Sequence, residues 1–170
     1  MSRLRHLWTA GWVLLAVSAC AASSPQTPQT HGSMEMRLTD APASNGLSLL
    51  VTISRMQVKA EGDWQTVAAG PIRVDLTTLI GSEQSLGTTR LPAGTYTKVR
   101  FVVDNPAISH SGDETPADVG AKTPVFEMKA EVSEGRTAVV VVDIDGAASF
   151  AYNGERPVFD VVAEVSVRYE

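Results

Sequence analysis

Three observations predict that this chain folds as an antiparallel β-sandwich of about seven to nine strands with Greek-key connections. Apolar and polar side chains alternate with period two through most of its length, turn signals recur every ~8 to 15 residues, and no stretch shows an amphipathic helical period of useful length. The first run sets Met34, Met36 and Leu38 against Ser33, Glu35 and Arg37, and ends at Thr39-Asp40-Ala41-Pro42, where proline stops a ladder. In the second, Leu47, Leu49, Val51 and Ile53 share one face, and Met56 and Val58 continue it one residue late. Such a phase slip requires a bulge near Ser54-Arg55.

Glu61-Gly62-Asp63 predicts a hairpin turn into a return strand from Trp64 to Val67. Ile72, Val74 and Leu76 form a separate run, Leu76 to Leu79 a helical turn, and Gly81 to Ser85 a polar loop. After a turn at Leu91-Pro92-Ala93-Gly94, Tyr96 to Asp104 alternates Val99, Phe101 and Val103 with Lys98, Arg100 and Val102, the pattern of a central strand. Asn105 to Lys122 reads as a polar loop and Pro124 to Ala130 as a weak strand. Thr137 to Ile144 contains the unbroken Val139 to Val142, which implies burial on both faces. A turn at Tyr152-Asn153-Gly154-Glu155 precedes a last alternating run from Val158 to Val167.

The N-terminus follows other rules. Arg3 and Arg5 precede an apolar run from Leu7 to Val17, the layout of a removable secretory signal rather than of a membrane span, which needs about 20 residues. Val17-Ser18-Ala19-Cys20 resembles the bacterial lipobox, at which the cysteine sulfur accepts a diacylglycerol before cleavage between Ala19 and Cys20. That resemblance implies an anchor of fatty acyl chains such as palmitate, and Ala21 in place of aspartate implies outer-membrane sorting. The predicted organisation is a lipoprotein signal peptide at 1–19, a lipidated N-terminus and flexible tether at 20–32, and a β-sandwich domain at 33–170. The tether holds two prolines and no apolar periodicity, and its last twelve residues reach roughly 40 Å when stretched. His31 is read as solvated within it.

Removing Arg3 and Arg5 takes the net charge from −5 to −7. An acidic chain argues against nucleic acid and against electrostatic attachment to anionic lipid, so membrane contact is assigned to the acyl chains. With Cys20 lipidated, no cysteine remains for a disulfide, a thiolate metal site or thiol catalysis.

In order along the chain, Leu38-Thr39-Asp40-Ala41-Pro42, Val51-Thr52-Ile53-Ser54, Val74-Asp75-Leu76 with Leu79, Leu91-Pro92-Ala93-Gly94-Thr95-Tyr96 with Val99-Arg100, and Asp143-Ile144-Asp145 resemble the bacterial and archaeal family called domain of unknown function 4382. The family is found in many lipoproteins. The resemblance implies an immunoglobulin-like or transthyretin-like sandwich and carries no assigned activity.

Candidate chemistry is sparse. A serine-histidine-aspartate set would need His110, in Ser109-His110-Ser111-Gly112-Asp113, which lacks the Gly-x-Ser-x-Gly elbow. No phosphate loop and no histidine pair at metal spacing occur, so neither cofactor nor metal is assigned. Asp143 and Asp145 project from one face and, with Asp40, would begin a calcium site only if the strand ends meet. Trp64, at a strand start just after a turn, is read as core packing, with a sugar platform as the alternative. Tyr96 is read as a corner tyrosine whose hydroxyl caps a loop, and Asp75 as a turn or cross-strand acceptor. The reading is therefore not an enzyme but a lipid-anchored envelope protein, with a non-catalytic binding or structural module meeting a protein or glycan partner. A solute- or carbohydrate-binding module, with or without calcium, is the alternative, and an unrecognised hydrolase comes last.

Overall fold

The computed structural model describes residues 29–40 and 47–170. The signal, Ala19, Cys20 and most of the tether lie outside those residues. Strand β1 (His31–Asp40) buries every second side chain, Met34, Met36, Leu38 and Asp40 among them. It starts two residues earlier than the expected Ser33, so His31 and Gly32 belong to the sheet and not to the tether. Gly32 allows this, because a Cβ there would sit 2.2 Å from the Ser133 carbonyl oxygen. The His31 ring bonds the Gln29 carbonyl at 2.8 Å.

Strand β2 (Ser48–Lys59) carries the expected bulge, its register slipping between Ile53 and Arg55 against both neighbours. The two runs expected at Trp64–Val67 and Ile72–Leu76 are a single strand, β3 (Trp64–Asp75), which passes through Gly70 and Pro71. A 3-10 turn follows at Leu76–Leu79, capped by Asp75, whose Oδ1 accepts from the Thr77 amide at 3.1 Å and its hydroxyl at 2.7 Å.

Strand β4 (Gln84–Pro92) takes in the end of the expected polar loop and residues that showed no period. A register slip opposite Met36/Arg37 throws its two buried leucines, Leu86 and Leu91, onto one face five positions apart, which hides the alternation. Strand β5 (Gly94–His110) is longer than expected and central: one edge pairs with β2, the other with later strands at both ends. Most of the expected loop after Asp104 is thus strand. Ser111 and Gly112, both with positive φ, turn the chain into β6 (Asp113–Pro116), all of whose side chains are exposed. A short β7 (Asp118–Val119) follows.

Strands β8 (Val125–Val132) and β9 (Thr137–Ile144) are joined by a turn at Gly135. Helix α1 (Gly146–Ser149) is one turn, capped by Asp145, whose Oδ1 accepts from the Ala148 amide at 2.8 Å. Strands β10 (Phe150–Asn153), β11 (Arg156–Phe159) and β12 (Ala163–Tyr169) complete the chain. Short pieces such as β6, β7, β10 and β11 raise the strand number above the expected seven to nine.

The strands form an all-β sandwich. Sheet one has the order β12-β9-β1-β4, sheet two runs β3-β2-β5-β6 with β8 also on β5, and β10-β11-β7 makes a small third sheet. Pairing is antiparallel except for β1 with β9 and β11 with β7. Between the main sheets lie Met34, Met36, Ile53, Met56, Phe101 and Phe159, all less than 3% exposed, and Phe101 stacks on Phe126 at 5.8 Å. The Tyr96 hydroxyl donates to the Pro92 carbonyl at 3.1 Å, as expected of a corner tyrosine.

Candidate functional site

The aspartates that could have met at the strand ends do approach one another, yet Asp40 and Asp145 are committed to the fold, and Asp143 Oδ1 is buried without a partner among the described residues. Asp40 is 3% exposed, and its Oδ1 accepts from the Gly146 amide at 2.8 Å, tying the end of β1 to the start of α1. Its Oδ2 is buried without a partner among the described residues. Burial pushes its carboxyl up to about 6, against the pull of the Gly146 amide and with the help of Asp143, Asp145 and Asp75. Asp143 sits opposite Glu164 in the β9–β12 pairing, and burial first, then that neighbour, raise its pKa as well.

Asp143, Asp145 and Glu164 line a groove of about 460 Å³. Among the described residues, however, no three carboxylates or histidines stand close enough to hold a metal ion. Sequence spacing left the meeting of these aspartates conditional on the strand ends, and it did not show that backbone amides would already occupy Asp40 and Asp145.

His110 stands exposed at the mouth of the two-residue β5–β6 hairpin, paired with Asp113 across the strands. That is a turn position and not a strand-to-helix elbow.

Trp64 departs from the core-packing reading. It is only half-buried, at the first position of β3, on the outer face of sheet two. Cross-strand partners share a face, so the pairings of Lys59 with both Trp64 and Lys98, and of Gln57 with both Thr66 and Arg100, lay out two adjacent rows there. The inward faces of the same strands bury Val58, Val99 and Phe101 completely. The Arg100 guanidinium carbon lies 4.1 Å from the centre of the Trp64 ring, and Arg100 Nε donates to Gln57 Oε1 at 3.0 Å. Gln57 Nε2 in turn donates to Thr66 Oγ1 at 3.2 Å, and Lys59 Nζ stands 5.9 Å from the indole. Alternation already put Lys98 and Arg100 on the outside of their strand, but nothing in the linear order shows that Trp64 lies under Arg100, because that depends on β3 and β5 pairing with opposite edges of β2 in one particular register.

A search among curated proteins found no match. Among solved structures the chain is similar to the crystal structure of a "putative cell adhesion protein" from Bacteroides eggerthii DSM 20697, with 12% identity and a TM-score of 0.40. The similarity covers 82% of this chain and 55% of that one, so this chain spans about half the length of that structure. The family model described as "Domain of unknown function (DUF4382)" matches residues 31–158, from the first residue of β1 into β11. With three quarters of its length matched, the chain belongs to the DUF4382 family.

Proposed function

We propose that this chain is a lipid-anchored protein of the bacterial envelope, held by acyl chains on Cys20 and carrying one non-catalytic β-sandwich as a binding module. The observation that carries the anchor is Val17-Ser18-Ala19-Cys20 at the end of a short apolar run, with the chain's one thiol at the point of cleavage. The non-catalytic reading draws support from the fate of the candidate acids and bases. Asp40 and Asp145 hold backbone amides, Asp75 caps a turn, and His110 stands exposed beside a hairpin turn. With Ala21 after the cysteine, the outer membrane is the destination.

In this arrangement the acyl chains fix position, the tether supplies reach, and the outer face of sheet two, with Trp64 upon it, supplies the contact. At about 0.8 kcal/mol per buried methylene, two or three chains hold the body firmly, so a net charge of −7 is no obstacle to attachment. The test is Cys20→Ala with membrane fractionation and radiolabelled palmitate. The parent should pellet with membranes and take up label, and the variant should lose both. A variant that pellets as tightly as the parent would sink the proposal.

A further inference from the structure

Sheet two concentrates positive charge on an otherwise acidic body. Arg55, Lys59, Arg73, Lys98 and Arg100 project from its outer face, at positions paired across β2, β3 and β5. Lys98 is offset by Glu127 at 3.0 Å and Arg73 by Glu114 at 2.5 Å, while Asp104 takes Lys122 at 3.4 Å. Arg55, Lys59 and Arg100 have no carboxylate partner among the described residues, although the chain has 19 acidic side chains to draw on. Lys59 even stands directly opposite Lys98, an arrangement that costs stability unless an external anion relieves it.

Arg100 is the ordered member of the group. Its guanidinium is held at two points, over the face of the Trp64 ring and by the bond from Nε to Gln57. Both Nη groups are left without a hydrogen-bond partner among the described residues. A planar fork with its edge free is what a carboxylate accepts from through two parallel bonds, and the side-chain entropy of ordering is already spent before any ligand arrives.

We propose that the outer face of sheet two binds an acidic polysaccharide built of carboxylated sugars, with Arg100 gripping a carboxylate and Arg55 and Lys59 meeting neighbouring ones. The inference rests on the binding-module reading and names its ligand. Successive outward rows on a strand lie roughly 7 Å apart, so the unpaired cations form a ladder suited to a linear polyanion. Gln57, Thr66 and Thr52 add neutral hydrogen-bonding groups between the charges, as sugar hydroxyls require. The face is an open sheet surface, which suits an extended chain better than a small solute. An anionic membrane fits less well: the indole lies against Arg100 and is not free to insert, and Val125, 48% exposed, is the one large aliphatic side chain exposed on these rows.

Calorimetric titration of the Cys20→Ala chain, which carries no acyl anchor, with polygalacturonate, neutral dextran and phosphatidylglycerol vesicles tests this. Polygalacturonate should bind that chain saturably and weaken steeply with salt, while dextran and vesicles should give no binding heat. Arg100→Gln should lose about tenfold or more in affinity, the exposed pair Arg55→Gln with Lys59→Gln several-fold, and the remote Arg156→Gln nothing. Unchanged melting curves would show that each variant is folded. Equal binding of dextran, an Arg100→Gln chain that binds as the parent does, or capture by vesicles in place of polygalacturonate would each overturn the inference and leave the anchored-module reading standing. Falling viscosity of the polygalacturonate, by contrast, would overturn the non-catalytic reading itself.

Discussion

The outer faces of the two main sheets handle charge in opposite ways. On sheet one, Arg37 contacts Glu35 at 2.9 Å and Glu83 at 3.3 Å, and Arg168 grips the same Glu83 through two bonds of 2.7 and 2.6 Å. Glu170 lies within 3.8 Å of both arginines. These groups flank Val139 and Val141, which belong to the outward side of β9 yet are 0% and 5% exposed. The long arginine stems can cover valine because their heads are held by carboxylates. Hydrogen bonds from Arg168 to Glu83, and from Arg37 to Glu35, keep both carboxyls below the usual carboxylate range. On sheet two Arg73 and Lys98 meet glutamates, but Arg55, Lys59 and Arg100 meet glutamine, tryptophan or solvent. The same residue types therefore serve as cover on one face and, at Arg55, Lys59 and Arg100, go without a carboxylate partner among the described residues on the other. Net charge alone conceals the difference.

Sheet one also takes a charge inside it, and neutralising that charge should have the largest effect. Asp40 titrates near 6 in the folded chain against an ordinary 3.8, so the folded state binds its proton more tightly than the unfolded one. Its favourable contribution is complete at low pH and is lost as pH rises through about 6, up to about 3 kcal/mol in all. Chemical denaturation should show the parent gaining stability from pH 7.5 down to 5, a range in which Glu35 and Glu83 stay ionised. Asp40→Asn, which keeps an oxygen for the Gly146 amide, should flatten most of that slope. A variant with the parent's slope would show that Asp143 or another group is responsible.

Next in size, Val139→Ala should cost about 2 kcal/mol by opening a cavity under the arginines, whereas Gln57→Ala on the opposite face should change stability by less than ~0.5 kcal/mol. Equal losses would erase the contrast between a sealed face and an open one. The smallest effect is electrostatic. Glu83→Gln should lower Tm by roughly 2 °C at low salt and by less at high salt, while Arg55→Gln, which breaks no ion pair, should leave Tm unchanged or raise it slightly.

The strands visible in the linear order were those whose apolar residues leave a plain pattern. β1 and the stretch of β5 from Lys98 to Asp104 alternate, and the unbroken Val139 to Val142 announced β9 as a strand covered on both sides. The bulge of β2 could be located because a phase slip leaves its mark in the spacing of apolar residues. Strand β4 escaped notice for the same physical reason, since its own slip falls in a segment with only two apolar anchors. The whole of β6 looked like a loop because its four side chains are exposed and need no apolar face, and the end of β5 because its buried Pro106, Ala107 and Ile108 follow one another without alternation. Of the candidate site, Trp64 was visible as a residue type, but its partners were not.

What the amino-acid order determined by itself was local: which residues face inward, where turns fall, and where the one cysteine stands relative to an apolar run. Those features depend on side-chain period and backbone conformation over a few residues, which neighbouring positions specify. What the tertiary structure decided was which charges meet. Arg37 finds Glu83 46 positions away, and Arg100 finds Gln57 43 positions away in place of a carboxylate. Pairings of that kind follow from strand order and register across whole sheets, and a single-residue slip at a bulge is enough to exchange one partner for another.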